Sequence, residues 1–340
     1  MCFLCFNFSW IFGITIFIAL LVISPINILM RVLQPQPPQA YSKPKTVFIT
    51  GGARGIGLAL AKDYIHCGTE TIIITDLKED VLAVAAQDLQ QYHSTLLATK
   101  AGGSPCSQLI VVTKSVDVTD RQAMTEAMIE LDSQYRIDVV VANAGVSAHH
   151  FKHLLYEEMC RITTDVNVVG VMNTIFPLKN IFRKRRSGQF VLLSSLLSIE
   201  PVCVVAYPAS KAWVKSFGRG LRQELSSENV SVVTVLPGWV STQILSNLPT
   251  DMTFPMMVAP EVMSKRIFNA ARNDEGVAIS PISFGFILIA LSTVLGPKLF
   301  DFLGWKREKE DAADRDLDQY TPTVQIKEKI PLSSSNQFLQ

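Results

Sequence analysis

Seven short runs of β-branched and aromatic residues recur along one stretch of this chain, each separated from the next by a segment long enough for a helix. They are Thr46–Thr50 (TVFIT), Thr71–Thr75 (TIIIT), Leu109–Val116, Asp138–Ala142 (DVVVA), Gln189–Leu193 (QFVLL), Ser231–Leu236 (SVVTVL) and Gly276–Ser280 (GVAIS). The runs are near-continuously apolar instead of alternating, which marks strands buried on both faces. Strands of that kind sit in a parallel sheet covered by helices on both sides. The expected fold is therefore α/β: one doubly wound parallel sheet of about seven strands. It occupies residues 45–281 and leaves no room for a second soluble domain. The stretch His93–Gln108, rich in Ser, Thr, Gly and Ala, is expected to be an exposed loop before the third strand.

The ends differ from the middle. The chain is 48% hydrophobic and 18% charged, and residues 2–30 and 276–297 carry no charge at all. Trp10 to Met30 is long enough to cross a bilayer, which takes about 20 apolar residues. The first charge, Arg31, follows that run, with Lys43 and Lys45 beyond it; a cleaved signal peptide would carry its basic residues in front. The positive-inside rule then puts the folded domain in the cytosol. The expected organisation is a transmembrane anchor over 1–33, a proline-rich linker over 34–44, the folded domain over 45–281, an apolar membrane-associated segment over 282–305 and a charged, disordered tail over 306–340. The expected location is the endoplasmic reticulum membrane. The six cysteines have no framework spacing and read as reduced thiols. A formal net charge of +1 leaves no electrostatic footprint for nucleic acid. Sequons stand at Asn7 and Asn229, of use only if the topology is the reverse of the one expected.

Thr50-Gly51-Gly52-Ala53-Arg54-Gly55-Ile56-Gly57 follows the first strand run and opens a helical stretch. Such a turn is a phosphate cradle: glycines let the backbone approach closely, and the helix N-terminus offers free N–H groups and a positive dipole. Asp76 ends the second strand run, about 20 residues past the turn, where a carboxylate binds ribose hydroxyls and repels a 2′-phosphate. NAD is the expected cofactor. Arg54 within the turn can pair with a 2′-phosphate, so NADP stays open.

Tyr207-Pro208-Ala209-Ser210-Lys211 places a phenol and an ammonium one helical turn apart on one face. A tyrosine of ordinary pKa, near 10, is a poor base at neutral pH, and an adjacent cation stabilises its phenolate.

On these motifs the chain from about Lys45 to Ser280 resembles the short-chain dehydrogenase/reductase family. The resemblance implies a Rossmann-type fold and hydride transfer between NAD(P) and an alcohol or carbonyl, and it assigns further residues. Asp117 resembles the family's adenine-contacting aspartate, and Asn143-Ala144-Gly145 its N-A-G sequence lining the cofactor cleft. Asn167 matches the helix asparagine that holds a water linking Lys211 to solvent. Pro237-Gly238, with Thr242 beyond, matches the turn that holds the carboxamide. The implied catalytic set is Asn167, Ser195, Tyr207 and Lys211. The implied cofactor-binding set is Gly51, Arg54, Gly55, Ile56, Gly57, Asp76, Asp117, Asn143, Tyr207, Lys211, Pro237, Gly238 and Thr242, with no metal. One departure bears on the serine. Ser194, not Ser195, stands at the family's usual interval from Tyr207. The neighbouring apolar pattern favours Ser195 with one residue deleted from the loop, and Ser194 stays open. A second departure is Leu196-Leu197-Ser198, where many members carry a small residue and glycine.

The segment Gln243–Pro260 offers Ile244, Leu245, Leu248, Met252, Phe254, Met256, Met257 and Val258 around a single charge, Asp251. Flexible methionines suit an adaptable apolar pocket, so the expected partner is a lipophilic small molecule: a steroid, retinoid, sphingoid or long-chain alcohol or ketone. The family's helix–helix pairing leaves a homodimer open. The rival readings are a catalytically idle, dinucleotide-sensing scaffold and a membrane-organising protein.

Overall fold

The computed structural model describes residues 43–99, 108–147, 155–199, 205–242 and 256–281. Seven strands form one sheet: β1 (Thr46–Thr50), β2 (Thr71–Asp76), β3 (Ile110–Ser115), β4 (Val139–Ala142), β5 (Gln189–Leu193), β6 (Ser231–Pro237) and β7 (Val277–Ser280). Every pairing is parallel, in the order β3-β2-β1-β4-β5-β6-β7. All seven sequence runs became strands, within a residue or two at their ends. The order reverses between β1 and β4, which opens a crevice beyond their C-terminal ends, where ligands bind in sheets of this kind.

Helices cover both faces: α1 (Gly55–Cys67), α2 (Glu79–Thr99), α3 (Arg121–Tyr135), α4 (Tyr156–Thr164), α5 (Gly170–Arg185), α6 (Ala206–Leu225) and α7 (Pro260–Arg272). Successive strand residues point to opposite sides. Val47, Ile49, Ile72, Ile74, Val139 and Val141 pack against α1, α2 and α7. Phe48, Ile73, Val140, Phe190 and Val232 pack against α3, α5 and α6. The basic run Arg183–Arg186 at the end of α5 is no ligand patch: Arg183 and Arg186 pair with Glu228, and Arg185 with the buried Asp132.

Two expectations are corrected. The stretch from His93 is helical as far as Thr99. Leu82, Ala85, Leu89, His93 and Leu96 are all buried at helical spacing, so tertiary packing continues α2 through a Ser/Thr-rich sequence. Membrane anchoring is the second. Among the described residues no helix is long and apolar enough to cross a membrane, and the segments assigned to the anchor and to the second apolar run, 1–33 and 282–305, lie outside those residues. The described fold is accordingly a single seven-stranded domain with no membrane-spanning helix among the described residues, and nothing in it supports the expected membrane partner or endoplasmic reticulum location. The linker over 34–42 and the tail over 306–340 also lie outside the described residues. At the sequon of Asn229, the side-chain amide donates to the carbonyl of Arg186 at 2.7 Å and Ser231 is buried in β6.

Candidate active site

The turn between β1 and α1 forms one wall of the crevice. Gly51 (φ +60) and Gly55 (φ +55) hold left-handed backbone that side chains resist. A Cβ on Gly57 would lie 2.4 Å from the carbonyl oxygen of Gly51. Asn143, just past β4, braces this turn: its Nδ2 donates to the carbonyls of Thr50 and Gly51, each at 2.9 Å. Thr50 returns the support, its Oγ1 accepting from the N–H groups of Asn143 and Ala144 at 3.1 Å. The strand-order reversal thus sets a rigid glycine turn at the N-terminus of α1. Its backbone suits a pyrophosphate, with Arg54 at the N-cap and Ile56 anchored in the core beneath.

Around the turn lie the remaining expected cofactor residues. Asp76 ends β2, its Oδ1 accepting from the N–H of Leu77 at 2.9 Å. Asp117 follows β3, and its Oδ1 accepts from both the N–H and the hydroxyl of Thr119 at 2.8 Å. Pro237 ends β6, and the N–H of Gly238 donates to the carbonyl of Ser280 at 2.7 Å. Thr242 comes close to the glycine turn: a Cβ on Gly55 would meet its Cγ2 at 3.3 Å. A parallel bridge joins Val240 and Val258, the N–H of Val258 donating to the carbonyl of Trp239 and that of Ser241 to the carbonyl of Val258. Most of the expected apolar lid, 243–255, lies outside the described residues.

The second wall is α6. Lys211 is buried and Tyr207 partly buried, and the Lys211 Nζ lies 5.7 Å from the Tyr207 ring centre. The Ser195 side chain is close enough to the Tyr207 phenol to favour its ionised form. Ser194 is turned elsewhere, its Oγ donating to the backbone carbonyl of Lys211 at 2.7 Å. Of the two serines, then, Ser195 is the one that meets Tyr207. Burial pushes the Tyr207 phenol up to about 12, with the Ser195 side chain opposing that rise. Burial alone brings Lys211 down to about 8. Its Nζ donates to the carbonyl of Leu193 at 2.9 Å.

Asn167 is fully buried and sits in a π-helical turn, Asp165–Val169, between α4 and α5. Its Oδ1 accepts from the N–H of Val146, and its Nδ2 donates to the carbonyl of Val146 and to the Ser210 hydroxyl. Ser210 in turn donates to the carbonyl of Tyr207 at 2.7 Å. Sequence reasoning passed over Thr50 and Ser210. Ser210 lay in plain view inside the Tyr207–Lys211 motif, whereas nothing local distinguishes Thr50. Among the described residues no cluster of His, Cys, Asp and Glu is arranged to hold a metal. The arrangement as a whole can bind a dinucleotide across the sheet ends and bring a phenol, a hydroxyl and an ammonium to one reacting oxygen.

Comparison with known proteins points the same way. The family model described as short chain dehydrogenase matches residues 45–253. A 3-oxoacyl-[acyl-carrier-protein] reductase of Chlamydia muridarum is 29% identical over 210 residues, 61% of this chain and 79% of that one. A 3-dehydrosphinganine reductase of Arabidopsis thaliana is 30% identical over 231 residues, 67% of this chain and 64% of the relative. Among solved structures, a short-chain dehydrogenase from Sphingobium yanoikuyae in complex with NADPH shares the fold. Its TM-score is 0.61 at 22% identity, covering 79% of this chain and 99% of the other.

Proposed function

Because the chain belongs to the short-chain dehydrogenase family and is an NAD(P)-dependent oxidoreductase of alcohols and carbonyls, we propose that Tyr207, Ser195, Lys211 and Asn167 carry out its chemistry on a lipophilic substrate. The observation that carries this reading is the buried Lys211 ammonium 5.7 Å from the Tyr207 ring centre, with the Ser195 side chain beside the same phenol.

In the oxidising direction Tyr207 Oη takes the proton of the substrate hydroxyl, and in the reducing direction it returns one to the carbonyl oxygen. Ser195 Oγ donates to that same oxygen and stabilises the alkoxide as charge develops. Lys211 supplies the positive charge that a partly buried phenolate needs. Asn167 holds the backbone of Val146 and the Ser210 hydroxyl, and so anchors the route by which protons reach Lys211. A bound nicotinamide dinucleotide supplies or accepts the hydride. The glycine turn, Asp117, Asn143, Pro237, Gly238 and Thr242 would hold it. Asp76, an acceptor-only group, favours NAD over NADP.

The lipophilic class is supported by the wall beside Ser195. Leu196 and Leu236 form a small apolar cluster with Ile199 and Ile279, and Met256 and Met257, at the end of the lid segment, are about half exposed. The relatives named for 3-oxoacyl and 3-dehydrosphinganine substrates, both ketones on long chains, lean the same way. The test follows hydride transfer at the nicotinamide absorbance with NAD(H) and NADP(H). Sterol, retinoid, sphingoid and long-chain alcohols are set against short polyols, beside a Tyr207→Phe variant. Turnover of a lipophilic alcohol, lost in Tyr207→Phe, is the expected result. Turnover confined to the polyols would overturn the substrate class, and an active Tyr207→Phe would overturn the mechanism.

A further inference from the structure

The chain segment carrying Ser195 is held by two lysines, one on either side. Helix α6 presents Tyr207, Lys211 and Lys215 at four-residue intervals, and hence on one face. All three reach the same short segment. Lys211 Nζ takes the carbonyl of Leu193, and Ser194 Oγ donates back to the carbonyl of Lys211. Tyr207 meets Ser195. Lys215 Nζ donates to the carbonyl of Ser198 at 2.8 Å. The segment is thus tied to α6 before Ser195 and again after it.

Between those ties, Leu196–Ser198 forms a single 3₁₀ turn. Ser195 closes it, its Oγ accepting from the N–H of Leu197 at 3.2 Å and its carbonyl from the N–H of Ser198 at 3.0 Å. Moving the turn therefore moves the Ser195 hydroxyl. The turn is bulky, with Leu196 buried against Leu236. Lys215 is partly buried, and both burial and the neighbouring Arg219 disfavour its charge. A lysine costs solvation in such a place, and a charge-assisted hydrogen bond to a carbonyl is what offsets it. Lys211 shares its charge between Leu193 and the ring of Tyr207, so it cannot fix the far end of the turn.

We infer that Lys215 is a positioning residue: by holding the carbonyl of Ser198 it fixes the turn after Ser195 and keeps the Ser195 hydroxyl in line with Tyr207. The inference rests on the proposed roles of Ser195 and Tyr207. It also has a signature that a merely structural role lacks. The Ser195 side chain opposes the upward push of burial on Tyr207, so releasing the turn withdraws that opposition.

The test compares the full chain with Lys215→Met, which keeps the aliphatic stem and removes the donor, and with Lys215→Arg, which restores one. Oxidation of the same lipophilic alcohol is followed against pH. NADH affinity is read from nicotinamide fluorescence, and hydrogen exchange is measured on the peptide covering Ser194–Ile199. In Lys215→Met the expected outcome is a kcat lower by roughly 10-fold or more, with KM and NADH affinity within about twofold. The limb on which activity rises with pH moves to higher pH, and exchange of the peptide speeds up. Lys215→Arg recovers most of the loss. An unchanged kcat, or a lower kcat with the limb unmoved, overturns the inference. Activity retained in Tyr207→Phe measured alongside would instead overturn the reading beneath it, which separates the two failures.

Discussion

The side-chain amide of Asn167 grips the backbone of Val146 at two points, Oδ1 accepting its N–H and Nδ2 donating to its carbonyl, each at 2.9 Å. The grip joins the chain just past β4 to the π-turn between α4 and α5, and through Ser210 it reaches the start of α6. Helical and sheet hydrogen bonding cannot supply these bonds, because Val146 lies in neither.

Asn167→Ala orphans both polar groups of Val146. An unsatisfied buried group costs about 1–3 kcal/mol, and the cavity adds to it. The expected outcome is a urea midpoint lowered by that order together with a fall in kcat, and Asn167→Asp should be no rescue, since a carboxylate cannot donate to the carbonyl. Denaturation curves and turnover measured on the same samples check both parts.

Gly57 and Gly220 make opposite predictions from the same substitution. A Cβ on Gly57 would sit 2.4 Å from the Gly51 carbonyl oxygen and 2.8 Å from the Asn143 Nδ2, whereas one on Gly220 meets nothing within 4 Å. Gly57→Ala should therefore push the glycine turn apart and lose dinucleotide binding in a fluorescence titration. Gly220→Ala should bind normally and gain about 0.5–1 kcal/mol of stability, the helix-interior preference for Ala over Gly.

The five inner strands were legible because burial on both faces demands unbroken β-branched runs, a demand local to each strand; the partly exposed edge strands β3 and β7 kept the same apolar pattern. The cofactor turn was legible for a similar reason: a tight approach leaves only glycine. What escaped were features decided at a distance. Helix α2 runs on to Thr99 because His93 and Leu96 find a surface to cover, which no propensity of Ser94 or Thr95 announces. The π-turn at Asp165–Val169 has no pattern of its own and exists to aim Asn167. The choice between Ser194 and Ser195 depended on which hydroxyl the carbonyl of Lys211 would take up. The expected membrane anchor was read from apolar length and the charges that follow it, signals that concern residues lying mostly outside the described fold.

Asp76 is the lever for cofactor preference. Its carboxylate stands at the end of β2 on the cofactor side of the sheet, with one oxygen already fixed by the N–H of Leu77. Replacing it by serine removes the charge that repels a 2′-phosphate and leaves Arg54 nearby in the glycine turn. Asp76→Ser should shift the ratio of kcat/KM for NAD over NADP toward NADP by roughly 10-fold or more, the scale expected when a like-charge repulsion is removed and an arginine is left to pair with the phosphate. Steady-state kinetics with both cofactors decide it. A ratio that does not move would place the discriminating group elsewhere.

Lys211 is expected to destabilise the fold in which it works. Burial lowers its pKa from 10.5 to about 8, so the folded chain binds its proton less tightly than the unfolded chain does. Between those two values the unfolded state carries more protons, and stability then rises with pH. Below about pH 8 the full penalty is present, on the order of 3 kcal/mol for a shift of this size. Tyr207 works in the opposite sense: its pKa is raised from 10.0 to about 12, so above pH 10 the unfolded state loses a proton that the folded state keeps, and stability falls. Lys211→Met removes the buried charge and forfeits one hydrogen bond to the carbonyl of Leu193, a contribution of about 1.5–3 kcal/mol. At neutral pH these terms nearly offset, so the variant should unfold at a midpoint close to that of the native chain while losing turnover. Near pH 10, where the native lysine is neutral in the fold and its penalty is largely relieved, the variant should be clearly the less stable of the two. Urea denaturation of both chains at pH 7 and pH 10 checks the crossing. A variant less stable by the same margin at both pH values would show that Lys211 enters the fold without a desolvation cost.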